Sequence, residues 1–207
     1  MKPARLEQLA DGIFAIVMTI LVFQIKPPVL SNYASSPELF GALKDMLPIF
    51  LSYLLSFSLI FTYWRAHHFF ISVYAKNIDL NLTNLNALFF CILALVPFST
   101  SLLGSYSDNQ LAIIIFGLHT IAIGLCLFWI RSYVFNSETI KNIEVSRGEI
   151  HRGTVRIFVP ILFAFLAILI SFVSKNLSLW LFTLAVLFNF SHTSTKIIDK
   201  ILGEKHY

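Results

Sequence analysis

The sequence predicts an all-α, polytopic membrane protein with six transmembrane helices per subunit. Three observations predict it. Charged residues make up only 13% of the chain and hydrophobic residues 57%, whereas a soluble domain carries about 25% charge. A surface this poor in charge cannot be covered for water. The apolar residues fall in blocks close to the ~20 residues that cross the hydrocarbon core as a helix. The basic residues stand between those blocks and not along one amphipathic face, so the net charge of +4 reflects membrane topology and gives no reason to expect nucleic acid.

The 207 residues read as a single six-helix transmembrane domain over 1–207, with spans at about 5–25, 47–64, 80–103, 111–131, 155–174 and 177–195. The first is apolar from Gly12 to Ile25 and ends at Lys26-Pro27-Pro28, where proline cannot continue a helix. Asp11 at its start, and Lys-Pro-Pro where a cleavage site would stand, argue against a signal peptide. The second runs from Leu47 to Trp64. The third contains Pro97, which is expected to kink it, and gives way to the turn Gly104-Ser105-Tyr106-Ser107-Asp108. In the fourth, Gly117 and Gly124 share a face and predict close helix contact. His119 between them is expected to hydrogen-bond to a neighbouring helix. The fifth follows the longest charged loop, 132–154, and carries Pro160 near its start. The sixth fades after Phe190 into Ser191, His192 and Thr193. Asn81, Asn84 and Asn86 read as a polar flank to the third span.

Charge supplies the orientation. With six spans, the two termini and the loops at 65–79 and 131–156 share one side. That side holds 12 of the 15 lysines and arginines, against Lys26, Lys44 and Lys175 on the other. The positive-inside rule then puts both termini in the cytoplasm of a multi-pass cell-membrane protein. Removing the sixth span would carry the basic tail to the outside, so the same skew supports an even number.

Chemistry-bearing motifs are few. Cys91 and Cys126 lie within apolar runs, with no disulfide or metal spacing. No Walker loop, HExxH or nucleophile elbow occurs, and neither does a Thr-Val-Gly-Tyr-Gly carbonyl filter. No catalytic residue, metal site or cofactor is expected, and the chain is not read as an enzyme.

The first span is the informative one. Ionisable residues entering a membrane helix are costly and need partners. Glu7 and Asp11 are four apart, share a face and repel. Arg5, six residues before Asp11, lies about 120° away around the helix, so Asp11 needs a donor from another segment or water. The end of the second span, Tyr63-Trp64-Arg65-Ala66-His67-His68, offers an indole N–H, a guanidinium and two imidazoles at the same level. Tryptophans and arginines are also ordinary at a membrane boundary. Beyond Asp11, Gly12, Ala15 and Thr19 form a small-residue ridge. Beside it Ile16, Ile20 and Phe23 form an apolar stripe. Such a stripe meets lipid or a neighbouring helix in most membrane proteins, and in a pore it is a constriction that excludes water. Spacing alone does not choose between these.

Asp11-Gly-Ile-Phe-Ala-Ile-Val-Met-Thr19, preceded by Arg5, resembles the opening helix of the potassium channels of the lysosomal transmembrane protein 175 type, in their short prokaryotic form. Leu9-Ala10 stands where that family carries Phe-Ser. Trp64-x-x-His67-His68, the six-helix count and the internal termini are also similar to the family. The resemblance implies a homotetramer in the lipid bilayer, its central pore lined by the first helix, passing potassium and other monovalent cations without a carbonyl filter. It implies that Ile16, Ile20 and Phe23 form the hydrophobic constriction. Thr19 would offer hydroxyls to the permeant K⁺, and Arg5, Asp11, Trp64, His67 and His68 would be a structural cluster at the inner mouth. The alternative is a secondary transporter or proton-coupled carrier using Asp11 and the membrane-edge histidines. No inverted repeat or pair of broken helices supports it.

Overall fold

The computed structural model describes residues 3–31, 33, 35–142 and 147–190. These are helical apart from turns, short connections and one antiparallel bridge between Ala75 and Lys141. In chain order the helices are α1 (Pro3–Ile20), prolonged by a 3₁₀ turn Leu21–Gln24; α2 (Ser36–Asp45); α3 (Leu47–His68), followed by a π turn Phe69–Val73; α4 (Leu80–Leu93); α5 (Val96–Ser105); α6 (Gln110–Asn136); α7 (Arg147–Ser171); and α8 (Lys175–Phe190). Among the described residues, five helical stretches are long and apolar enough to cross a membrane: Ala4–Gln24, Leu47–Val73, Leu80–Ser105, Gln110–Asn136 and Gly153–Ser171. The 16 residues of α8 reach about 24 Å at 1.5 Å per residue, short of the ~30 Å hydrocarbon core. Positions 191–195 of the expected sixth span lie outside the described residues.

Four features depart from the sequence reading, each for a local reason. The connection after the first span contains α2, started by a capping arrangement: the Glu38 carboxylate accepts from the Ser35 N–H at 2.6 Å and from its hydroxyl at 3.0 Å. These bonds hold that carboxyl below its usual pKa. None of the α2 residues is buried, so apolar patterning gives no sign of the helix. The third span is two helices: Pro97 has no N–H and would clash with the carbonyl of Leu93 in a continuous helix. The chain breaks at Ala94–Leu95 and restarts with Pro97 in the first turn of α5. The second span runs past Trp64, first as α3 to His68 and then through the π turn to Val73. Finally, α6 and α7 take up most of the charged 132–154 segment, because residues beyond the apolar stretch still pack. Arg131 Nε donates to Thr154 Oγ1 at 2.9 Å, and its guanidinium lies 5.7 and 5.2 Å from the Phe128 and Phe135 rings.

The core runs along the bundle through Phe14, Leu21, Ile60, Phe89, Leu93, Phe116 and Leu127, all essentially inaccessible. α6 packs along α7 and α7 along α8, while α3 lies on α5, α4 on α6, and α1 on α3. Small residues let the backbones approach. A Cβ at Gly124 would stand 2.5 Å from Ile161 Cγ1, and one at Gly117 2.7 Å from Ile168 Cγ1. Between α3 and α5, Thr100 Oγ1 donates to Ser56 Oγ at 2.7 Å. At one end of the bundle the segments after α3 and after α6 are tied together: the Lys76 N–H donates to the Ile140 carbonyl at 2.7 Å and the Asn142 N–H to that of Tyr74 at 2.9 Å.

Candidate functional site

α1 buries one face and leaves the other open. Leu6, Ala10, Phe14, Val17 and Leu21 are buried; their spacings of four, four, three and four place them on one side of a 3.6-residue helix. The opposite side carries the apolar stripe. Ile16 is 57% exposed, Ile20 40% and Phe23 73%. Phe23 lies in the 3₁₀ turn, where residues three apart eclipse one another, so it stands more nearly above Ile20 than a continued α-helix would put it. The Thr19 hydroxyl lies 2.9 Å from the Ala15 carbonyl and 3.0 Å from that of Ile16. Its one proton is taken by its own helix, and both lone pairs of the oxygen remain as acceptors. A cleft of about 660 Å³ separates this part of α1 from the α4–α5 break, with Ile16, Val17, Ile20 and Gln24 on one wall and Pro97 and Phe98 on the other.

The polar cluster joins α1 to α3 as two rungs. Trp64 Nε1 donates to Asp11 Oδ1 at 2.8 Å, so among the groups offered by the end of α3 the indole meets the carboxylate. One turn away, His68 Nδ1 lies 3.0 Å from Glu7 Oε1. The two α3 rings stack, with centroids 5.9 Å apart and planes at 27°. The four-residue spacing within each helix lets antiparallel helices form both contacts at once. Glu7 is thus a member of the cluster that reading Asp11 alone misses. The matching Glu7–Asp11 and Trp64–His68 intervals were the available signal. Arg5 is exposed and stands apart from both rungs.

His67 belongs to a different environment. It is buried, with Nε2 2.6 Å from Asn86 Oδ1. Asn86 Nδ2 donates to the Leu82 carbonyl at 2.8 Å. The facing amide atom is therefore an acceptor, and His67 Nε2 carries the proton. The ring stacks on Phe89 at 5.4 Å and 12° and touches Phe14 at 5.8 Å. His67 fastens α1, α3 and α4 from inside the core. Asn86 is accordingly no flank residue: it is fully buried, whereas Asn81 and Asn84 are exposed. Its place on the face of Leu82, Phe89 and Leu93 was legible in the spacing. Among the described residues no three His, Cys, Asp or Glu side chains converge as a metal site would require.

Several known proteins are similar to this chain in sequence and fold. The profile of the family described as endosomal/lysosomal potassium channel TMEM175 matches residues 5–97, from Arg5 to the first turn of α5. A potassium channel of Chryseobacterium is 29% identical over 188 residues, covering 90% of this chain and 92% of its own. A potassium channel of Streptomyces collinus is 32% identical over 136 residues, 62% of this chain and 64% of its own. The mouse endosomal/lysosomal proton channel TMEM175 is 25% identical over 97% of this chain, which spans only 41% of the mouse protein. The crystal structure of a lysosomal potassium-selective channel TMEM175 homolog from Chamaesiphon minutus superposes with a TM-score of 0.77 at 25% identity, over 90% of this chain and 95% of that one. Sequence profile, bacterial relatives and fold all make this chain similar to channels of the TMEM175 type, in their short prokaryotic form.

Proposed function

We propose that the protein is a potassium-permeable cation channel in which four copies surround a pore lined by α1, with Ile16, Ile20 and Phe23 as the hydrophobic constriction and no carbonyl filter. The observation that carries this reading is the division of α1: five residues of one face are buried in the subunit, while three large apolar side chains of the other are left open. A helix that packs on one side and presents an uncovered apolar stripe on the other is suited to a symmetric wall. A ring of such side chains blocks water when narrow and passes ions when it widens and wets. Thr19, between Ile16 and Ile20, supplies oxygen atoms to a dehydrating cation. The names of the bacterial relatives and of the Chamaesiphon structure add to the reading, and it leaves no place for an enzymatic role.

The cluster then has a mechanical role. Trp64–Asp11 and His68–Glu7 hold the end of α1 on α3, with Asp11 twelve residues before Phe23, about 18 Å along the axis. The basic segments beside the cluster support a cytoplasmic position for this mouth of the pore. Purified protein in planar bilayers with a potassium gradient is expected to give unitary current steps, which a carrier does not produce. Replacing Ile16 or Ile20 by Asn hydrates the ring and is expected to raise basal potassium conductance about tenfold, about 1.4 kcal/mol off the barrier. Unchanged conductance in both variants would remove the constriction from α1.

A further inference from the structure

The break in the third span lies beside the stripe on α1, and one side chain spans it. His119, near the middle of α6, places Nδ1 2.7 Å from Ser99 Oγ on α5 and Nε2 2.9 Å from the Ile92 carbonyl on α4. Both contacts reach past the gap at Ala94–Leu95. Among the described residues no other side chain is seen to hydrogen-bond to both sides of it. The bond at Ile92 also answers a need. A continuous helix would give that carbonyl the Val96 N–H; here it receives the Leu95 N–H at 3.1 Å and the imidazole.

Proton positions follow from the partners. A carbonyl only accepts, so Nε2 carries the hydrogen, and in the neutral ring Nδ1 is then an acceptor. The Ser99 hydroxyl donates to it at 2.7 Å in preference to the Val96 carbonyl at 3.1 Å. The ring thus donates to one half of the span and accepts from the other, and its plane fixes their relative angle. On its remaining sides α5 is tied to α3 by Thr100–Ser56, and it faces α1 with Pro97 and Phe98 across the cleft from Ile16 and Ile20.

We propose that His119 is a positioning residue for conduction: from α6 it latches α4 to α5 across the break, and so sets how Pro97 and Phe98 stand against the Ile16–Ile20 stripe. The role rests on the channel reading above, because it acts through that stripe. Releasing the latch frees α5 to move against α1, which changes how often the ring opens and leaves its bore alone.

The test is single-channel recording of the full-length protein, with thermal unfolding of each variant alongside. His119→Ala is expected to shift open probability by about two- to thirtyfold, the range found for residues that modulate coupling between distant parts of a protein, with unitary conductance kept. Ser99→Ala removes one contact and is expected to give a smaller shift of the same sign. His119→Gln retains a donor that reaches Ile92 and is expected to restore most of the wild-type open probability. Should His119→Ala fail to assemble, Ser99→Ala and His119→Gln decide: the first must shift gating and the second must stay near wild type. Wild-type gating in both His119→Ala and Ser99→Ala overturns the latch. So does equal damage from His119→Ala and His119→Gln in proportion to lost thermal stability, which marks a purely structural histidine. A wild-type protein without unitary steps defeats the channel reading, and the latch with it. Wild-type steps with unaltered variants defeat the latch alone.

Discussion

A carboxylate at the edge of this bundle is used according to what faces it. Asp11 is met by the Trp64 indole across helices, and Glu7 by His68. Asp79, in the segment between α3 and α4, has both a local and a distant partner. It caps α4 by accepting from the Leu82 N–H at 2.8 Å and also accepts from the Tyr133 hydroxyl on α6. The Tyr133 bond is the largest cause of a pKa held below the ordinary 3.8; desolvation opposes it, and the backbone donors add to it. The sign follows directly. A group whose folded pKa is depressed contributes stability above its unfolded value and loses it as pH falls through the folded one. The α4 cap is therefore intact at neutral pH and weakens below about pH 4. Asp79→Asn keeps an acceptor for Leu82 but removes the titration. Thermal midpoints in detergent between about pH 6 and pH 3 are expected to fall more steeply for the wild type than for the variant. Parallel curves would show that the Tyr133 bond gives Asp79 no stabilising charge.

The helices show what a sequence can and cannot disclose. Hydropathy locates the long apolar stretches because the bilayer imposes their length, and the seven-residue interval of Gly117 and Gly124 points to a close contact. Which helix fills that contact was not legible, since any apolar neighbour satisfies it; the structure supplies α7, through Ile168 and Ile161. The break before Pro97 could be anticipated from the missing N–H, but not its brace, because His119 and Ile92 are distant in sequence. α2 was invisible to a search for apolar blocks, although Ser35 and Glu38 carry a capping signal. Of the site, Asp11's need for a partner was readable, while the separation of His67 from His68 was not: adjacent residues on a helix point about 100° apart, and only packing decides which faces the core. The α6–α7 contact gives a test at this scale. Gly124→Ala forces a methyl to within 2.5 Å of Ile161 Cγ1, and overpacking of this kind costs about 1–3 kcal/mol. A lower thermal midpoint is expected, recovered in part by pairing the change with Ile161→Val, which gives up Cδ1 and lets the side chain retreat. Equal stability of Gly124→Ala and wild type would mean that α7 yields at no cost.

For the whole molecule, the contacts that close the bundle also bear on how it sits in the membrane. The Ala75–Lys141 bridge binds the segment after α3 to the segment after α6, and His68 binds the start of α1 to the same end. Three of the basic segments counted in the sequence therefore lie together in the fold. Lys44, on α2, lies at the other end of α3. A shared end fixes the segments relative to one another and leaves open which way that end faces; the bias of lysine and arginine, 12 against 3, is the ground for the proposal that it faces the cytoplasm, because translocating short basic loops is disfavoured. Lys44 and Lys76 are both exposed and occupy opposite ends, so Lys44→Cys and Lys76→Cys report on the two sides. Of the native thiols, Cys126 is buried and Cys91 lies within the membrane span of α4, out of reach of a charged reagent. A membrane-impermeant maleimide applied to intact cells is expected to label Lys44→Cys at once and Lys76→Cys only after permeabilisation. The reverse pattern would place the Glu7–Asp11 cluster at the outer mouth and turn the proposed conduction axis end for end, with α1 still its wall.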